Sequence, residues 1–220
     1  MVATSAVLMN ESMDRSFGAD EEFFHAVTHG MGAALAAGGA AFLVARAVAG
    51  GDPWRVTSFA IYGVTLVLLY TASAFYHGVT RRELKARLRL LDHSAIYLLI
   101  AGSYTPFLLL RLRGPWGWSV FALVWGLAVA GIVYKLTLMD RFPRFSTVFY
   151  VGMSWLAVVA GGPLLRELSP GMLAWLIAGG LIYTGGTLVF HLERVRYAHV
   201  AWHVFVLAGS TCHFMAIAQL

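Results

Sequence analysis

The chain has 220 residues, 59% hydrophobic and only 12% charged, with mean hydropathy +0.72; a soluble domain ordinarily carries roughly 25% charge. One water-soluble core is excluded, and an all-α polytopic membrane protein is predicted, because apolar runs of ~20 residues, each able to cross ~30 Å of hydrocarbon, recur along the chain. The net charge of +5 does not point to nucleic acid, since the cations gather in short loops between these runs.

Residues 1–22, MVATSAVLMNESMDRSFGADEE, hold five acidic residues and one Arg. They lack the basic, apolar and cleavable regions of a signal peptide. A short acidic tail is expected there, ahead of a single transmembrane domain over 23–220. Hydropathy predicts a seven-helix bundle with spans at roughly 23–48, 54–77, 90–110, 116–138, 145–166, 171–190 and 198–219. Polar or Pro/Gly-containing turns such as GGDPW, RLRGPW, MDRFPR and RELSPG separate most of them.

Lys and Arg set the expected orientation. Arg15, the five cations between spans 2 and 3 (Arg81, Arg82, Lys85, Arg87, Arg89), Lys135, Arg141, Arg144, Arg194 and Arg196 share one side, eleven against five on the other. By the positive-inside rule the N-terminus is cytoplasmic, in a multi-pass protein of the cell (plasma or inner) membrane. The basic rim TRRELKARLR is either a topology determinant alone or a surface for anionic lipid headgroups. Cys212 is the sole cysteine, which excludes an intrachain disulfide and leaves it a small packing residue.

Ionisable side chains inside hydrocarbon are costly and so are candidates for function. Span 2 ends in SAFYHGVTRR, span 3 begins LRLLDHSAIYLL, and span 7 begins AHVAWHVF. All three start or finish on the basic side, which brings His77, Asp92, His199 and His203 to similar depth. His199 and His203, at i and i+4, present two imidazoles from one helix face to one metal. With His77 they make a three-His set whose fourth position is open, the pattern of a catalytic Zn²⁺. Asp92 then serves as general base or as a partner to a ligand, and Ser73, one turn deeper than His77, assists at an oxyanion. Blander alternatives stand beside each: histidines near helix ends meet headgroups, Asp92 favours a helix start through the dipole, and Ser73 bonds its own backbone.

Of the remaining histidines, His25 is expected in the interface and His29 at the cytoplasmic mouth or supporting the site. His93 is expected to face another neighbour, about 100° from Asp92. His191 is assigned to the inner end of span 6. His213, ~15 Å beyond His203 along the helix, is expected to hydrogen-bond a neighbouring helix. Gly30, Gly32, Gly38 and Gly39 in span 1, and Gly179, Gly180, Gly185 and Gly186 in span 6, are expected to permit close helix approach. Trp54, Trp116, Trp118 and Tyr197 suit an interfacial belt. Pro106 is expected to kink span 3 with Ser103 or Thr105 satisfying freed backbone groups, and Lys135 to snorkel to the inner surface.

The stretches THGMGA, SAFYH, LRLLDHSAIYLLIAGSYTPF, GIVYK and YAHVAWHVFVLAGSTCHFMAI, in this order from Glu22 to Ile217, resemble the hemolysin III family. That family is the bacterial branch of the group holding the progestin and adiponectin receptors, within a superfamily of membrane hydrolases that includes alkaline ceramidases. The resemblance implies a seven-helix bundle with cytoplasmic N-terminus and a Zn²⁺ held by His77, His199 and His203. It carries the family's serine and aspartate onto Ser73 and Asp92. Many relatives have a small polar residue such as Asn where this chain has His25.

The leading expectation is a zinc-dependent hydrolase of a membrane lipid amide or ester. Three alternatives stay open: a pore-forming haemolysin, a receptor-like or lipid-homeostasis protein with structural zinc, and a bis-histidine haem protein.

Overall fold

The computed structural model describes residues 17–137, 145–159, 161–192 and 194–220. The expected acidic tail as far as residue 16, with Arg15, and the MDRFPR turn with Arg141 and Arg144, lie outside the described residues. Among the described residues there are helices and no strands.

Local chemistry accounts for several helix starts. In α2 (Pro53–Gly78), Asp52 accepts from the Trp54 and Arg55 amides while Pro53 opens the first turn, the arrangement that satisfies orphan N–H groups. In α8 (Pro170–Phe190), Ser169 accepts from the Met172 amide at 3.2 Å ahead of Pro170. Helix α1 (Ala19–Ala49) carries Asp20, Glu21 and Glu22 in its first turn, where carboxylates favour the positive end of the helix dipole. It begins four residues before the expected start, so Glu22, assigned to the tail by composition, is helical.

Helices α3 (Arg82–Leu110) and α4 (Pro115–Thr137) follow. The fifth span is broken into α5 (Phe145–Ser154), α6 (Leu156–Val159) and α7 (Gly161–Glu167). Helix α9 (Ala198–Ile217) completes the set. Six helices are long and apolar enough to cross a membrane, and the bent pair Phe145–Val158 and Gly161–Glu167, at 54°, makes a seventh when taken as one span. The chain is a multi-pass membrane protein. Leu35, Val64, Val129, Leu181 and Leu188 are each more than half exposed, as lipid-facing positions require.

Consecutive helices pack together around the bundle, and α9 closes on α1. Helix α3 is innermost: 67% of its apolar window is buried, against 22% for α1 and 17% for α8. It runs as one helix through Pro106. Ser103 and Thr105 donate to the Ile100 and Ala101 carbonyls, neighbours of the Gly102 carbonyl that Pro106 leaves without an amide.

Close approach is real at only some of the expected glycines. A side chain on Gly32 would meet the Tyr70 ring at 2.7 Å, one on Gly39 would meet Phe214 at 2.9 Å, and Gly179 and Gly186 lie against His213 and Phe205. Gly30 and Gly38 have nothing within 4 Å, and Gly180 and Gly185 meet Trp155 and Phe205 only at an ordinary 3.8 Å. Trp54, Trp116, Trp118 and Tyr197 are all well exposed near helix ends.

The break in the fifth span is held by Tyr104 of α3. Its hydroxyl donates to the Ser154 carbonyl at 2.6 Å and accepts from the Ala157 amide at 2.7 Å. Trp155, at the break itself, donates to Thr184 of α8 at 3.0 Å. Backbone groups freed within a membrane need such partners. Tyr104→Phe therefore leaves a carbonyl and an amide unsatisfied and is expected to destabilise the bundle by about 1–3 kcal/mol, read as a lowered Tm in detergent.

Candidate metal centre

Two helices bring three imidazoles together at one end of the bundle. His77 comes from the last turn of α2, His199 and His203 from the first turns of α9. Their ligand atoms lie within 4.8 Å of one another, with His77 and His203 buried and His199 half-buried. The i, i+4 spacing sets the pair on one face of α9, and the packing of α9 against α1 brings that face to α2.

His77 is oriented by a carboxylate absent from the expected site. Its Nδ1 lies 2.7 Å from Glu22 Oε2, while its buried Nε2 has no hydrogen-bond partner among the described residues. Nδ1–H donating to a carboxylate leaves the Nε2 lone pair free for a metal, the usual support of a ligating imidazole. Lys85 Nζ sits 2.8 Å from Glu22 Oε1, so Glu22 bridges a cation on α3 and an imidazole on α2. His203 Nδ1 is 3.2 Å from Thr28 Oγ1, and that hydroxyl donates to the Phe24 carbonyl. These orphaned and anchored nitrogens fit a metal ion. Glu22, His25 and His77 form a second, overlapping group of possible ligands.

His25 does not sit in the interface. Its side chain is fully buried, and its ring centroid lies 4.5 Å from His77, 4.8 Å from His199 and 5.1 Å from His203. His25 stands on the buried face of α1, in line with His29, Gly32 and Ala36 at helical spacing. His29, one turn deeper, stacks on His203 at 3.6 Å. Phe17 caps the cluster, 4.6 Å from His25 and 5.0 Å from His199. Beside it, Arg196 and the Tyr197 hydroxyl bond to Asp20, and the Tyr197 amide donates to Glu21 at 2.8 Å. The Asp20 carboxylate, by accepting that hydroxyl, holds the Tyr197 phenol above its ordinary pKa.

A cavity of about 1110 Å³ leads away from the cluster. His29, His199 and His203 border it, as do Ser73, Asp92, His93 and His191. The Ser73 hydroxyl faces the Asp92 carboxyl across the α2–α3 contact, and Lys135 interacts with that carboxyl electrostatically. Lys135 lines the same cavity and is half-buried, so it is turned toward the bundle and not wholly out to the surface as expected. Asp92 belongs to neither possible ligand group. Beyond the polar end the lining is largely apolar, with Leu69, Ile96, Leu99, Phe107 and Leu176 among it. From His199 to His213 the cavity follows α9 for ~21 Å at 1.5 Å per residue. His213 donates to the Leu176 backbone of α8, the helix-to-helix bond expected of it.

The family model described as Haemolysin-III related matches residues 17–214. The chain belongs to this family. Hemolysin-3 of Bacillus cereus is 42% identical over 197 residues, covering 90% of each chain. A Hemolysin-3 homolog of Bacillus subtilis (strain 168) is 41% identical over 197 residues, 90% of this chain and 92% of the relative. The human monocyte to macrophage differentiation factor is 29% identical over 198 residues, 80% of this chain and 79% of the relative. The motifs quoted from spans 1, 2, 3, 4 and 7 all lie within or across the haemolysin-III match. Glu22 and His25 were obscured in the sequence: the acidic composition before them masks the helix start, and only the i, i+3 spacing of Glu22 and His25 hinted at it.

Proposed function

We propose that this haemolysin-III protein is a membrane-embedded zinc-dependent hydrolase of a lipid amide or ester. The observation that carries the proposal is the three-imidazole cluster, backed by a carboxylate, at the polar end of a long apolar cavity. Three neutral imidazoles suit Zn²⁺, which when bound supplies Lewis-acid polarisation of a carbonyl and activation of water. His77, His199 and His203 would hold it, and Glu22 would fix the tautomer and orientation of His77.

The chain's own groups supply the rest. The Asp92 carboxylate faces the cavity that His199 and His203 border, where it takes a proton from a cavity water. Ser73 donates its one hydroxyl proton to the Asp92 carboxylate and so orients it; once Asp92 has taken a proton from water, that hydroxyl is released to donate to the substrate carbonyl. Apolar walls exclude bulk water and accept a long hydrocarbon chain; the cavity is larger than the ~300–1,000 Å³ of ordinary small-molecule pockets. With the basic residues inside, the cluster lies near the cytoplasmic leaflet of the cell membrane, and the rim from Arg81 to Arg89 faces anionic headgroups.

Zinc measured by mass spectrometry in detergent-purified protein, followed by a panel of N-acyl and O-acyl lipids, tests the proposal. Zinc-loaded, folded protein that cleaves no lipid amide or ester across the panel would overturn it, as would liposome leakage undiminished by His77→Ala. Glu22→Gln removes the carboxylate while keeping its shape. It is expected to weaken zinc binding roughly 10–100-fold, read by competition with a chromogenic chelator.

A further inference from the structure

We infer that His25 is a displaceable fourth ligand, which closes the metal centre as a four-imidazole site at rest. The inference rests on the proposed function and concerns the regulation of that same site.

His25 comes from α1, a third helix beyond those of the other imidazoles, and its ring is surrounded by theirs at 4.5–5.1 Å. Both ring nitrogens are buried and neither has a hydrogen-bond partner among the described residues. Glu22 Oε2, at 3.9 Å from Nδ1, is beyond hydrogen-bond reach and is committed to His77. An imidazole buried without any partner is costly, because it has given up water for nothing in return. A metal among the four rings removes that cost through one nitrogen.

The geometry separates His25 from the other buried imidazoles. His29 lies stacked, nearly parallel at 8°, on the ring of His203, and so presents a face to that ring. His25 is inclined to all three rings by 50–77°, so it offers them an edge and not a stacked face. In the present rotamer its ligand atom groups with those of Glu22 and His77, so a change of side-chain torsion carries it between the Glu22 side and the shared centre.

Four protein ligands make a tetrahedral zinc site closed to water, and three make an open one. His25 bound is therefore the inactive arrangement, and His25 withdrawn toward Glu22 exposes the position that hydrolysis needs. Phe17 packs on His25 at 4.6 Å and holds the ring in the cluster from outside.

X-ray absorption on zinc-loaded wild type counts the imidazoles directly, without any variant: four are expected, and three plus a lighter scatterer would overturn the inference. Cobalt(II) substitution gives a second readout. The wild-type visible spectrum is expected to be unmoved by azide, whereas His25→Asn and His25→Ala take up azide with a spectral change. Both variants should bind cobalt on the order of 10–100-fold more weakly. Wild type that responds to azide as the variants do, or variants with unaltered affinity, would overturn the role of His25 and leave the three-His site standing. Wild type that binds neither metal would bring down the zinc reading and this inference together.

Discussion

Purified His77→Ala protein is expected to carry almost no zinc under conditions in which wild type carries a near-stoichiometric amount. His77 is the member of the cluster that α2 contributes; without it the ligands come from α9 alone among the three. The loss should exceed the roughly 10–100-fold typical of removing a supporting residue. The variant should still fold, because Glu22 keeps Lys85 at 2.8 Å and the space lies at one end of a bundle whose main cores run deeper. Mass spectrometry of the metal, beside a thermal melt with and without chelator, checks both halves. Zinc retained in a folded His77→Ala protein would sink the three-His centre.

Asp92→Asn is expected to separate binding from chemistry. Asparagine has nearly the same shape and can still accept from Ser73, but it cannot take a proton. Hydrolysis should fall by about 10²–10⁴, the usual contribution of a positioned general base, while zinc content stays at the wild-type level because Asp92 belongs to neither ligand group. Single-turnover rates on an N-acyl lipid, paired with metal analysis of the same preparation, make the measurement. Zinc lost along with activity would move Asp92 into the coordination sphere. Activity and zinc both unchanged would remove it from the mechanism.

The bundle was legible because hydropathy reports directly on which residues tolerate hydrocarbon. The predicted starts of α2, α4, α5, α8 and α9 fall within a residue of the observed ones. His77, His199 and His203 were legible for a different reason: three polar residues at one depth, on the ends of two apolar runs, can meet only if the two helices do. The break near Trp155 was not legible, because the segment from Phe145 to Leu165 is apolar on both sides of it and its key partner, Tyr104, lies on another helix. His25 was misplaced because its position near the chain's polar start suits an interface equally well, and only the packing shows that it shares the inward face of α1 with His29, Gly32 and Ala36. Lys135 was misread since length and position near a helix end suit snorkelling equally well; that it borders the cavity with Asp92 shows only in the packed bundle.

The closure of α9 on α1 has a consequence for biogenesis. The ligands stand on α2 and α9, so during synthesis His77 enters the membrane long before its partners exist. Until α9 inserts and docks, the imidazoles of α1 and α2 have no second wall, and no three-His centre can form. On the proposed reading, capture at the three-His centre then waits for the final docking step, and a chain interrupted before Ala198 holds only the Glu22, His25 and His77 group. The last helix to insert thus brings both the closing contact with α1 and two of the three candidate ligands.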